Sequence, residues 1–395
     1  MSDPGDVFTQ VTSTSWIARL GKSILGVLIG IVLIIAAIVL LFWNEGRAVT
    51  TARSLAEGSR AVVEVGSASV DPANDGKLIY VSGDLAARAP LTDQEFGVSA
   101  NALRLVRKVE MYEWKEESKS EKREKLGGGE EEVKTYTYHR VWSDRYEDSS
   151  RFKQPDGHEN PQMRYHGRAV VARDASLGAF HPGEQVLRLL PADERLPLAP
   201  GLTAPLRARV GSPVTVVDGD LYFAADPANP HVGDLRISYK IAPNGPASLI
   251  GRQTGSDLTE YQTKAGDQLL MAVPGVKSAA EMFTTAEDEN RTLTWVLRLI
   301  GAAVMFFGFV LILSPLVVVA DVVPFVGSIL EAGAALVALV LTIALSSAII
   351  ALAWLWYRPL VAIGALVIGL AIAFGLHKLA ARKAASRKLA PTAAG

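Results

Sequence analysis

SILGVLIGIVLIIAAIVLLFW, residues 23–43, carries no charged side chain. At about 1.5 Å of rise per residue, a helix of this length crosses a hydrocarbon core about 30 Å thick. A cleavable leader has an apolar core of roughly 7–15 residues and ends in small residues. Here the run is longer, and Asn44-Glu45-Gly46-Arg47 follows it directly. The stretch therefore reads as a membrane anchor, and this decides the class of the protein. Its 40 basic and 41 acidic residues give a net charge of -1, which excludes a basic nucleic-acid-binding chain. A content of 49% hydrophobic residues excludes a disordered one.

Working outward, a second apolar region covers residues 295–320. Arg298 near its start can snorkel to the interface, and Pro315 is expected to kink or end the helix. Residues 321–331, with Asp321, Pro324, Gly327 and Glu331, read as a cytoplasmic linker. A third span covers 332–355, and Trp354, Trp356 and Tyr357 form an aromatic belt at its end. Residues 356–359, with Arg358-Pro359, make a short turn. A fourth span covers 360–376, which is short but sufficient. A pair of re-entrant segments around Pro315 and Pro324 is the alternative.

Flanking cations set the orientation. The tail 377–395 holds Lys378, Arg382, Lys383, Arg387 and Lys388 and no acid, while Arg19 and Lys22 precede the first span. Four spans place both ends on one side. The N-terminus 1–22 and the tail are thus expected in the cytoplasm, with residues 44–294 extracytoplasmic. That large segment has 31 basic and 37 acidic residues. A basic tail suits an anionic leaflet, and a plain topology signal is its bland reading.

Residues 44–294 read as an α+β domain, mainly antiparallel sheet and OB-like in part. Asp234 to Ile241 alternates apolar and polar residues, as a half-buried strand does. Asp218-Gly219-Asp220 is a hairpin turn. Leu103 to Trp114 and Val133 to Trp142 form two strands. The charged, Gly-tipped connection 115–132 between them reads as a solvated loop or mobile hairpin tip, with a docking finger for a partner as the sharper reading. Arg47 to Arg60 extends the first span as helix, and Ala279 to Arg298 leads into the second.

The chain carries little recognisable chemistry. It has no cysteine, so no disulfide, thiolate nucleophile or thiolate zinc site is possible. No H-E-x-x-H, G-x-S-x-G or complete phosphate loop occurs. His158 and His166, with Asp156 and Glu159, make a weak metal candidate beside the commoner loop histidine. No catalytic, cofactor or metal residues are assigned, and the protein is read as non-enzymatic. Gly26 and Gly30 form a G-x-x-x-G face suited to helix–helix contact.

The chain resembles the transmembrane protein 43 (LUMA) family. The resemblance rests on Asn44-Glu45-Gly46-Arg47-Ala48 and Ser54-Leu55-Ala56-Glu57-Gly58. It continues through Val109-Glu110-Met111-Tyr112 with Trp114, Gly157-His158 and Asn160-Pro161. Val232-Gly233-Asp234-Leu235-Arg236, Gly266-Asp267 and Tyr357-Arg358-Pro359-Leu360 complete it. It implies one span before the domain and three after, with no established active site. Eukaryotic members sit in the endoplasmic reticulum and inner nuclear membrane, self-associate, and contact emerin and lamins. The Ala- and Gly-rich, cysteine-free composition here looks bacterial, and those partners do not transfer to a bacterium. The expectation is a self-associating multi-pass scaffold in a bacterial inner (plasma) membrane. Its partners would be the lipid bilayer, other copies and other membrane proteins. An envelope-stress or lipid-binding module with a ligand-binding β-domain is the alternative.

Overall fold

The computed structural model describes residues 6–125, 127–210, 213–322 and 324–360, then Ile363, Gly364, Val367, Ile368, Phe374 and Lys378. Among the described residues five named α-helices run in chain order: α1 (Trp16–Ala61), α2 (Glu184–Leu189), α3 (Thr203–Val210), α4 (Ala279–Ala320) and α5 (Pro324–Tyr357). The chain forms two compact units. One holds Met1–Ser15, Arg53–Lys125 and Gly129–Asp288; the other holds Trp16–Ala52, Leu126–Gly128 and Glu289–Gly395.

The helical unit carries the membrane character. Among the described residues three helices are long and apolar enough to cross a bilayer: Trp16–Ala61, Ala279–Ala320 and Gly327–Tyr357. The expected fourth span, 360–376, lies largely outside the described residues, as do Arg382, Lys383, Arg387 and Lys388 of the tail. α1 and α4 pack closely because two glycines meet. A Cβ added at Gly30 would stand 2.6 Å from the Gly308 carbonyl oxygen, and one added at Gly308 would stand 2.9 Å from that of Gly30. Ala37, Leu41, Met305 and Ile349 fill the centre of the bundle.

One expectation narrows here and another changes. Pro315 sits inside α4 without ending it. A proline cannot donate to the carbonyl four residues back, but the Ser314 hydroxyl donates to the Leu311 carbonyl at 2.7 Å. The lost acceptor is thus satisfied in place. The 321–331 linker is also mostly helix. α5 begins at Pro324, and proline is favoured in a first turn because its missing N–H has no helical partner there anyway. The described turn is only Asp321 and Val322.

Among the described residues the other unit is built on two large sheets, with two two-stranded ones beside them. In the eight-stranded one, the order is Val7–Thr14, Glu130–Ser143, Ala102–Glu124, Leu235–Pro243, Asp220–Phe223, Thr215–Val217. Arg168–Val171 also joins Ala102–Glu124, and Glu194–Arg195 joins Leu235–Pro243. In the six-stranded one, Asp257–Thr259, Gly245–Thr254, Leu78–Ala87 and Val63–Val65 lie in order, with Met271–Pro274 and Ala175–Leu177 attached. Every described pairing is antiparallel except Val63–Val65 with Ile79–Val81. Strand periodicity explains the layering. Ile79 and Val81 join Leu105, Val109, Met111, Ile237 and Tyr239 in the core shared by both sheets. Leu78 and Tyr80, on the opposite face, pack against Leu55, Met282 and Phe283.

The charged connection 115–132 is a correction. Its strands reach Glu124 and begin again at Glu130, leaving only the Gly-tipped turn. Cross-strand charge makes this possible: Lys122 pairs with Glu130 at 3.3 Å, and Lys125 pairs with Glu131. Gly127 and Gly128 take φ of +94° and +78°, values that glycine alone adopts freely.

The N-terminal arm adds a strand that the sequence reading did not contain. Val7–Thr14 pairs along Glu130–Thr137, from Val7 opposite Thr137 to Thr14 opposite Glu130.

Candidate functional site

The residues that carried the family resemblance come together in three polar junctions. The first lies in the helical unit. Asn44, Glu45, Gly46 and Arg47 occupy one turn of α1, immediately after its apolar run. Glu45 is 2% exposed. Its Oε1 accepts from Arg298 Nε at 2.6 Å. Its Oε2 accepts from Arg298 Nη2 and Trp354 Nε1, both at 2.9 Å. One carboxylate thus ties α1 to α4 and α5. The Arg298 guanidinium also lies over the Trp295 ring, 4.7 Å from its centre.

The neighbouring side chains complete this clasp. Asn44 Nδ2 donates to the Thr294 carbonyl at 3.1 Å, and Arg47 Nη1 donates to Asn290 Oδ1 at 2.9 Å. Gly46 has no room for a side chain, since a Cβ there would stand 2.7 Å from the Tyr357 ring. Arg358 continues the end of α5, its N–H donating to the Trp354 carbonyl at 2.7 Å. Within the same unit, Arg19 Nη2 binds Asp321 Oδ2 at 2.6 Å, and Trp16 Nε1 donates to the Val318 carbonyl at 2.8 Å. α1 is therefore pinned to α4 near both ends of its apolar run. Gly26 and Gly30 lie between those pins and face α4 of the same chain.

The second junction lies at the base of the long hairpin. Asn160 is 8% exposed. Its side chain imitates a strand neighbour: Oδ1 accepts from the Trp114 N–H at 2.7 Å, and Nδ2 donates to the Trp114 carbonyl at 2.8 Å. Gly233 and Asp234 treat Tyr112 in the same way, through Gly233 N–H to Tyr112 O and Tyr112 N–H to Asp234 O, both 2.8 Å. Gly233 has φ +98°, and a Cβ there would stand 2.8 Å from Pro161 Cγ. Gly157, at φ +85°, turns the loop that carries His158.

His158 is 4% exposed. It stacks on Tyr138 at 4.0 Å and meets Trp114 edge-on at 4.7 Å. Its Nδ1 lies 3.0 Å from the Gln154 carbonyl, and its Nε2 is 3.7 Å from Asp6. Both ring nitrogens thus face partners already. Among the described residues no group of three or more histidines or carboxylates could hold a metal. Burial, then the Glu116 carboxylate accepting its hydroxyl, pushes the Tyr138 phenol up to about 12.

The third junction joins the end of α1 to the turn at Gly266. Ser54 Oγ lies 2.8 Å from Thr263 Oγ1. The Glu57 carboxylate accepts from the Lys264 N–H at 3.0 Å.

A fourth buried network escaped the sequence reading. Arg107 Nη1 and the Tyr239 hydroxyl both donate to Asp93 Oδ2 at 2.7 Å. Burial and the Asp93 carboxylate hold the Tyr239 phenol well above its ordinary value. The available signal was Arg107 at an inward position of the alternation Leu103, Leu105, Val109, Met111.

These features define a multi-pass membrane protein whose sheet domain is inserted between its first and second spans. Residues 111–359 match the family model described as Transmembrane protein 43. A mouse protein of that name is 33% identical over 367 residues, covering 89% of each chain. The human one is 32% identical over 372 residues, covering 90% of each. A Drosophila melanogaster homolog is 30% identical, covering 71% of this chain and 74% of its own. The chain belongs to the transmembrane protein 43 family. No solved structure matches it.

Proposed function

We propose that the protein is a non-enzymatic membrane scaffold that self-associates and organises other membrane proteins. The observation that carries this reading is the Glu45 clasp. Catalytic and transport sites keep polar groups open to a substrate, whereas both Glu45 oxygens are engaged by Arg298 and Trp354. The buried polarity holds three helices together, as a rigid platform requires. The basic tail, including Lys378, supports contact with an anionic leaflet. A bacterial plasma membrane is the proposed location. Val7–Thr14 and the hairpin strands it pairs with share one side of it.

Because Gly26 and Gly30 are occupied by α4, self-association uses other faces. α1 leaves Ile24, Leu28, Ile31, Val32, Ile35 and Val39 exposed. Crosslinking in native membranes tests the reading. Discrete oligomers that survive dilution of the protein in the membrane support it. A strictly monomeric protein at native abundance refutes it.

A further inference from the structure

We infer that the cleft between the strand edges Leu91–Asp93 and Arg168–Val171 is a docking site for an extended acidic peptide. The cleft has a volume of about 510 Å³. Among the described residues Leu91–Asp93 pairs on one side only, with Val98–Ala100, and Arg168–Val171 pairs only with Arg104–Arg107. Both strands line the cleft, and neither partner strand does. Both open-edged strands therefore border the same space. An open edge presents unpaired N–H and C=O groups, the template for strand addition.

Charge selects the occupant. Arg168 and Arg173 line the cleft and are exposed. Among the described residues neither guanidinium has a hydrogen bond or ion pair. The acids beside them are already engaged: Asp174 is 3.5 Å from Arg88, and Asp93 is buried against Arg107. Residues 44–294 carry 37 acids and 31 bases. An acidic partner is therefore repelled over most of this surface and attracted where two guanidinium groups stand unpaired. A peptide alternating acidic and apolar residues satisfies both features: its backbone adds to an edge while its carboxylates meet Arg168 and Arg173. This inference stands on the cleft alone and is independent of the scaffold reading.

The test uses the full chain in a neutral detergent and a short fluorescent peptide alternating Glu and Val. Saturable binding is expected. It should fall about tenfold or more in Arg168→Gln/Arg173→Gln, as loss of charge-assisted bonds requires. It should also fall when Gln replaces Glu in the peptide, or when Pro interrupts its ladder. Both arginines are exposed, so an unchanged circular dichroism spectrum and unfolding temperature should accompany the loss. Equal binding by the double variant overturns the proposal. So does equal binding of the Pro-containing peptide, displacement by inorganic phosphate at peptide concentrations, or capture of phosphatidylglycerol vesicles in preference to the peptide.

Discussion

Substituting alanine for Gly30 tests the contact on which the helical unit is built. The new methyl would lie 2.6 Å from the Gly308 carbonyl oxygen, 2.9 Å from Ile312 Cγ1 and 3.2 Å from Leu311 Cβ. Ordinary contact begins near 3.4 Å, so the shortfall against a backbone atom is about 0.8 Å. A backbone oxygen cannot rotate aside, and α1 and α4 must separate. Overpacking of this kind costs about 1–3 kcal/mol. Alanine returns about 0.8–1.0 kcal/mol over glycine in helix propensity, so strain wins. Gly308→Ala should behave likewise, its methyl meeting Ile34 Cγ1 at 2.7 Å. Gly26 gives the opposite sign. A Cβ there meets nothing closer than 3.7 Å, so propensity alone acts, and Gly26→Ala should stabilise by up to about 1 kcal/mol. Thermal unfolding in detergent, followed by tryptophan fluorescence, reads these differences. The reasoning fails if Gly30→Ala unfolds at or above the parent temperature while Gly26→Ala unfolds below it.

Four further outcomes are expected. Glu45→Ala leaves the Arg298 guanidinium without its buried partner and should cost about 3–5 kcal/mol, whereas replacing both by methionine should recover most of it; equal losses in the single and double variants would count against the clasp. Thr12→Cys with Glu132→Cys, directly opposite in the ladder, should form a disulfide under mild oxidation in a chain with no other thiol; labelling of the two thiols from opposite sides of sealed vesicles would disprove the pairing. Asn160→Ala removes both bonds to the Trp114 backbone and should cost about 1–3 kcal/mol, read from the denaturant midpoint. Burial holds the Glu113 carboxyl above its ordinary value, so the folded state binds its proton more tightly than the unfolded state. Stability should therefore fall as pH rises through the ordinary carboxylate value to the raised one. Glu113→Gln should flatten that fall, and an unaltered pH profile would exclude Glu113 as its cause.

Much of this architecture was legible where local physics dominates. The 23–43 run, the alternation at Asp234 to Ile241 and the Asp218-Gly219 turn announce themselves over a few residues. In that turn Asp218 and Gly219 adopt φ of +51° and +81°, as a tight hairpin demands. Long-range pairing was not legible. Nothing in VFTQVTST names a partner 116–130 residues away, and mixed charge at 115–132 looks like loop until Lys122 is set beside Glu130. Pro315 looked like a break because the compensating Ser314 hydroxyl works only in three dimensions. For the junctions, the sequence supplied Asn44-Glu45-Gly46-Arg47 and Asn160-Pro161 as patterns, but not Arg298 or Trp354 as what they bind.

The Glu45 clasp also constrains how the chain is made. Arg298 follows Glu45 by 253 residues and Trp354 by 309. At a ribosomal speed of about 5–20 residues per second, the carboxylate waits roughly 13–50 s for its first counterion. Throughout that interval the nascent helix holds an unneutralised acid at the end of its greasy stretch. A translational pause, a premature stop or a late insertion would prolong the exposure. Only completion of the helix bundle brings in Arg298 and Trp354 and closes the clasp.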